Sequence, residues 1–99
     1  MVFLEQRIGV IGIVVENRES ARTINKILSE YSDIIVGRMG IPYRERDISV
    51  ISLIIDGSTD EIGAMTGKLG GLSGVKVKTA LVTKWFVKAI VFSLEPADM

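Results

Sequence analysis

The sequence predicts an α+β fold in which a four-stranded antiparallel sheet carries two helices on one face. Three observations lead there. Two runs, Arg7 to Glu16 and Ile48 to Asp56, are apolar at both odd and even positions, as strands in the middle of a sheet are. Each is followed by a polar turn and then by apolar residues at helical spacing. The segments fall in the order strand, helix, strand, strand, helix, strand, which is the ferredoxin-like βαββαβ arrangement.

Each element has its own signal. In RIGVIGIVVE both alternating sets, Ile8/Val10/Val14 and Ile11/Ile13/Val15, are apolar, so this strand is expected to be central and covered on both sides. ENRES follows, where Asn17 or Ser20 suits a helix cap and Glu19 suits the positive end of the helix dipole. Ala21, Ile24, Ile27, Leu28 and Tyr31 then recur at helical spacing, with Arg22, Lys26 and Glu30 on the other side. DIIVGRMGIP, Asp33 to Pro42, is rich in strand formers but interrupted by Gly37 and Gly40, and reads as a bent or edge strand. YRERD, Tyr43 to Asp47, is a charged hairpin tip.

ISVISLIID is the second strand that is apolar on both parities. GSTDE places Ser58 or Thr59 at a helix cap, with Asp60 and Glu61 in the first turn. Ile62, Met65, Leu69 and Leu72 continue along one helical face. LSGVKVKTALV closes the domain as a strand of alternating valines and lysines. In this topology the first and third strands are central and the helices cover one face only. The other face would leave a large apolar patch in water, which monomers rarely carry. Burying ~500 Å² of it per chain is worth on the order of 12 kcal/mol before association costs. A homo-oligomer, dimer or tetramer, is therefore expected.

Composition narrows the function. The 99 residues fit one domain, and 47% of them are apolar, a high share for so small an interior. With no cysteine and no histidine, thiolate clusters, disulfides, cysteine nucleophiles and histidine bases are excluded. Twelve basic residues balance twelve acidic ones, so direct nucleic-acid binding is not expected. No membrane span or secretory leader is legible, and the expected compartment is the cytoplasm. Neither a cofactor nor a metal is expected: Asp56, Asp60 and Glu61 match a helix dipole rather than a cation loop.

GAMTGKLGGLSG, Gly63 to Gly74, has the look of a phosphate loop but not its spacing. Only three residues separate Gly63 from Gly67-Lys68, and Leu69 follows where Ser or Thr is required. Gly67 and Lys68 also fall inside a helical pattern. Gly70, Gly71 and Gly74 are read as helix-stop and turn residues.

TGKLGGLSGVKVKT, preceded by GRMGIPYRERDISVISLIIDGSTDEIGAMTGKLGGL, resembles small ACT-like domains, and among them the stand-alone proteins of the iron-only hydrogenase system regulator family. GRMGIPY carries the narrower likeness. That family is related in fold to the C-terminal ligand-sensing domain of the nickel-responsive repressor. The resemblance covers about Gln6 to Lys84, which gives an ACT-like domain over residues 1–84 and a C-terminal extension over 85–99. It implies a regulatory module that oligomerises through its sheets and takes an effector at chain interfaces. Nickel sensing is not implied, because the repressor's histidine and cysteine ligands have no counterpart here. Nor is its N-terminal DNA-binding segment expected, since the first strand begins within a few residues of Met1.

Candidate ligand-binding residues are few. Arg38, flanked by Gly37 and Gly40, can offer its guanidinium fork to a carboxylate or phosphate while the backbone approaches closely. The commoner arrangement is an outward arginine paired with Glu45 or Asp47 on a solvated edge. Asn17, Arg18 and Ser20 sit where the first strand meets the first helix, a place suited to an anion, although a plain capped helix accounts for them too. No pairing of catalytic groups stands out. The expected function is thus a non-enzymatic regulator with a small-molecule effector. The alternative is a ligand-free scaffold that recruits a protein partner.

Overall fold

The computed structural model describes residues 6–82, and the 85–99 extension lies outside the described residues. The elements are β1 (Gln6–Val15), a 3-10 turn (Arg18–Ser20), α1 (Ala21–Glu30), a second 3-10 turn (Ser32–Ile34), β2 (Ile35–Tyr43), a third (Arg44–Arg46), β3 (Ile48–Ser58), α2 (Thr59–Gly70) and β4 (Val75–Leu81). The sheet order is β2-β3-β1-β4 with every neighbouring pair antiparallel. This is the ferredoxin-like α+β architecture, with β1 and β3 central. β2 is an edge strand with an irregularity between Ile35 and Gly37, as its glycines and broken pattern foretell.

The core follows from the pleat. Ile11 and Ile13 on β1 lie in register with Leu53 and Ile51 on β3, and all four are buried. The apolar stripes of α1 (Ile24, Ile27, Leu28) and α2 (Ile62, Met65, Leu69) close over them. The alternate set faces away. Val10 pairs with Ile54 and Val14 with Val50, and Val10 and Ile54 remain about half exposed, at 47% and 49%. β1 was expected to be covered on both sides. Among the described residues nothing covers its second face.

The turns are tied to one another. Asn17 caps the first 3-10 turn, its side-chain oxygen accepting from the Glu19 amide at 3.0 Å. Ser20 stands at the N-cap of α1 but makes no side-chain cap bond, so of the two alternatives for the cap it is Asn17 that supplies one. The Ser20 hydroxyl instead donates to the Ser73 carbonyl at 2.9 Å, because the α2–β4 turn passes within reach. Beside it the Glu16 amide donates to the Gly74 carbonyl at 2.7 Å. Gly74 has φ +68, and a Cβ there would stand 2.7 Å from Asn17 Cβ. Only glycine meets both demands.

The start of α2 is a capping box. Ser58 Oγ accepts from the Glu61 amide at 3.1 Å, and Glu61 Oε1 accepts from the Ser58 amide at 3.1 Å. That settles Ser58 rather than Thr59 as the cap. Near its end, Lys68 Nζ lies 3.8 Å from Glu30 Oε1 and 5.1 Å from the Tyr31 ring centre, joining α2 to α1. The Tyr31 side chain beside it, with Glu30 adding attraction, raises the Lys68 pKa above the usual lysine value of 10.5.

Three outcomes follow for stability. Gly74→Ala should cost roughly 1–3 kcal/mol in urea unfolding, and an unchanged midpoint would contradict the left-handed turn. Ser58→Ala should cost about 1 kcal/mol, with Thr59→Ala costing less. Because the folded Lys68 pKa is raised, its contribution is complete below pH 10.5 and lost as pH rises through the folded value. A stability loss in alkali that shrinks in Lys68→Gln would show it.

Candidate functional site

Two of the surfaces that the covering helices leave open bear on function. One is a cleft of about 740 Å³ between the start of α1, the outer half of β2 and the hairpin that joins β2 to β3. Its size falls within the range of small-molecule sites. It exists because β2 is an edge strand. Arg38 and Gly40 are in register with buried Leu53 and Ile51, so they belong to the helix-covered face. Yet both are exposed, because the helix layer does not close over this edge. Gly40 keeps that floor low: a Cβ there would meet only Ile51, at 3.7 Å, and would stand in the cleft.

The cleft gathers charge. Arg18, Arg38 and Arg44 line it, against the single carboxylate of Asp47, a local excess of two in a chain with no net charge. Arg38 Nη2 donates to Asn25 Oδ1 on α1 at 2.6 Å. The expected pairing of Arg38 with Glu45 or Asp47 is therefore corrected. Its side chain turns across the cleft toward the helix, and it is Arg18 that takes Asp47, at 2.9 Å. Asp47 adopts a left-handed conformation at φ 54, which turns the chain into β3 and leaves its carboxylate by Arg18. Both partners are largely exposed, 88% and 76%, so the pair is worth under ~1 kcal/mol. An incoming anion can therefore displace Asp47 at little loss.

Of the candidate residues, Arg18, Arg38 and Gly40 meet around this cleft. Asn17 and Ser20 stand outside its lining, committed to the turn contacts already described. Arg44 and Asn25 were not singled out from the sequence. Arg44 reads as one charge among several in a hairpin tip. Asn25 reads as a polar helix residue beside Ile24, although its spacing of four from Ala21 puts both on the side facing the cleft. No hydrogen-bond or ion-pair partner of Arg44 occurs among the described residues.

The second open surface is the uncovered sheet face. Val10, Val50, Ile54, Met39, Ile41 and Tyr43 stand exposed on it. Gly12 lies at its middle, opposite Ser52 and Lys78. A Cβ at Gly12 would meet nothing within 4 Å, so the face carries a shallow hollow, flanked across the strands by Ser52 and Lys78 and along β1 by Val10 and Val14. Ile41 contributes both to this face and to the cleft, so the two surfaces share the β2 edge. No helix of the described residues is long and apolar enough to cross a membrane. Among them no group of three or more His, Cys, Asp or Glu could hold a metal ion.

Comparison with known proteins gives these surfaces a family context. Residues 7–79 match the TM1266-like family model, described as "Iron-only hydrogenase system regulator, putative". The uncharacterized protein TM1266 from Thermotoga maritima is 39% identical, with a TM-score of 0.76 over 80% of this chain and all of that one. The "Uncharacterized transcriptional regulator MJ0080" of Methanocaldococcus jannaschii is 35% identical over 74 residues. Those residues are 75% of this chain but 56% of that relative, so the chain spans about half the relative's length. A formyltetrahydrofolate deformylase from Pseudomonas putida, 8% identical, superposes with a TM-score of 0.55 over 74% of this chain and 28% of the enzyme; at that identity the likeness is one of fold alone. The match over most of the sheet and both helices, together with the closely similar Thermotoga structure, places this chain in the TM1266-like iron-only hydrogenase system regulator family.

Proposed function

We propose that the protein is a non-enzymatic regulatory module that works as a homo-oligomer, pairing through its uncovered sheet face and responding to a small effector held in the arginine-lined cleft. The family description and the name of the archaeal relative indicate a regulator, and a chain without histidine or cysteine lacks the commonest catalytic groups. One observation carries the reading. Six large apolar side chains stand exposed together on one side of a four-stranded sheet, where a second copy can bury them and lose little.

The sharing of the β2 edge supplies a route for regulation. A ligand in the cleft would change the setting of Arg38, Gly40 and Ile41, and with it the rim of the paired face. For the oligomer to respond, the ligand must bind its two states with different affinity, and by linkage assembly alters ligand affinity by the same factor. The whole relative's role in transcription belongs to a protein about twice the matched length, and a role of that kind here would act through partners recruited by the assembled module.

Sedimentation across a dilution series from nanomolar to high micromolar tests the pairing. The expected result is a species of at least twice the 10.8 kDa chain that dissociates on dilution. Ile54→Asp should weaken it by at least about a hundredfold, since a carboxylate buried in an apolar interface costs several kcal/mol. A wild-type chain that stays monomeric throughout would contradict the reading.

A further inference from the structure

The cleft between α1 and β2 has a chemistry more specific than effector binding, and the next step rests on the reading of it as the effector site. We infer that it binds a phosphomonoester, a small molecule whose phosphoryl group is held by Arg38, Arg18 and Arg44 and whose apolar body lies against Ala21, Ile24 and Pro42.

Four observations converge. First, three of the chain's twelve basic residues line one cleft beside a single acid, and they come from three separate elements: the β1–α1 turn, β2 and the β2–β3 hairpin. Second, Arg38 is already oriented. Its bond to Asn25 at 2.6 Å uses one of five N–H donors and aims the planar group across the cleft, so little side-chain freedom is left to lose on binding. Third, Gly40 leaves the floor of the cleft open, since a Cβ there would meet only Ile51, at 3.7 Å, and would stand in the cleft. Fourth, the cleft also offers apolar surface on the helix-covered side of the sheet: Pro42, two residues beyond Gly40 on β2, and Ala21 on α1 line it and are exposed, over the buried Ile24.

A phosphoryl dianion suits this set better than a carboxylate. Its three terminal oxygens can accept from guanidiniums approaching from different sides. A single carboxylate presents two oxygens in one plane and is matched by one fork. Asp47 is the internal stand-in: its carboxylate holds Arg18 at 2.9 Å, and a dianion would replace it.

The test is an NMR titration of the full chain with inorganic phosphate, phenyl phosphate and acetate at constant ionic strength and pH 8, following backbone amides and arginine Nε–H signals. Saturable shifts confined to residues 18–25 and 38–49 are expected with both phosphates. Phenyl phosphate should bind several-fold more tightly than inorganic phosphate, and acetate at least about tenfold more weakly than either. Arg38→Gln should weaken phenyl phosphate by at least about tenfold, and Arg38→Lys should recover only part of it, because it restores charge without the fork. Lys26→Gln removes the same charge from α1 outside the cleft and should leave binding unchanged. Acetate binding as tightly as phosphate, phenyl phosphate binding no better than inorganic phosphate, or equal losses in Lys26→Gln and Arg38→Gln would each overturn the inference. Sedimentation of the same samples separates the two proposals. An oligomer that ignores phosphate refutes the ligand class alone, and a phosphate-binding monomer refutes the oligomeric reading alone.

Discussion

The constraint on which the structure depends is that two helices can cover only one side of a sheet whose central strands are apolar on both. β1 and β3 pair over ten residues, Gln6 against Ser58 to Val15 against Ser49, and the pleat sends Ile11, Ile13, Leu53 and Ile55 one way and Val10, Val14, Val50 and Ile54 the other. The first group builds a core with essentially no exposure. The second group has the same chemistry and no partner within the described chain. Because the side-chain period is two, no shift of register can hide it: a slip by one residue would merely exchange the two sets. The covered face accounts for folding, and the uncovered face is the surface through which the proposed pairing would act.

The edge strand serves the other half of the account. β2 is exposed along nearly its whole length, and an exposed flat edge invites uncontrolled pairing. An inward-pointing charge is one way to guard such an edge, and Arg38 has that position, in register with the fully buried Leu53. Guarding the edge does not require the rest of the arrangement, however. Asn25 reaching from α1 to fix the guanidinium, Gly40 leaving the floor open and Arg18 and Arg44 lining the cleft from two other elements are the features on which the proposed effector site rests. Edge protection and anion binding can share one residue, because a charge kept out of the core remains available to solvent and to ligands.

Most of the fold was legible because its signals are local. Periodicity located both helices and all four strands, the two doubly apolar runs identified the central strands, and Ser58 with Glu61 three residues later marked the start of α2. What escaped depends on distant segments meeting. Nothing near Ser20 reveals that the Ser73 carbonyl will stand within 2.9 Å and draw its hydroxyl from the helix cap. Nothing near Arg38 reveals that Asn25 will be opposite, or that Asp47 will be claimed by Arg18 twenty-nine positions away. Arg18, Arg38 and Gly40 could be suspected singly from glycine flanks and turn position. Their convergence, and the part of Arg44 in it, follows from the hairpin folding back toward the first turn of α1.

The central claim is that the uncovered sheet face is buried in the working protein. The chain has no cysteine, so a single introduced thiol reports directly on it. Ser52, at the middle of the open face opposite Gly12, and Ser29, on α1, are both exposed in the isolated chain. The measurement is the alkylation rate of Ser52→Cys relative to Ser29→Cys at micromolar protein, repeated on dilution. The account expects the Ser52 position to react at least about tenfold more slowly, with the difference fading as the assembly dissociates, since thiol reactivity follows access. Equal rates at every concentration would mean that the face stays in water, and the claim would fall.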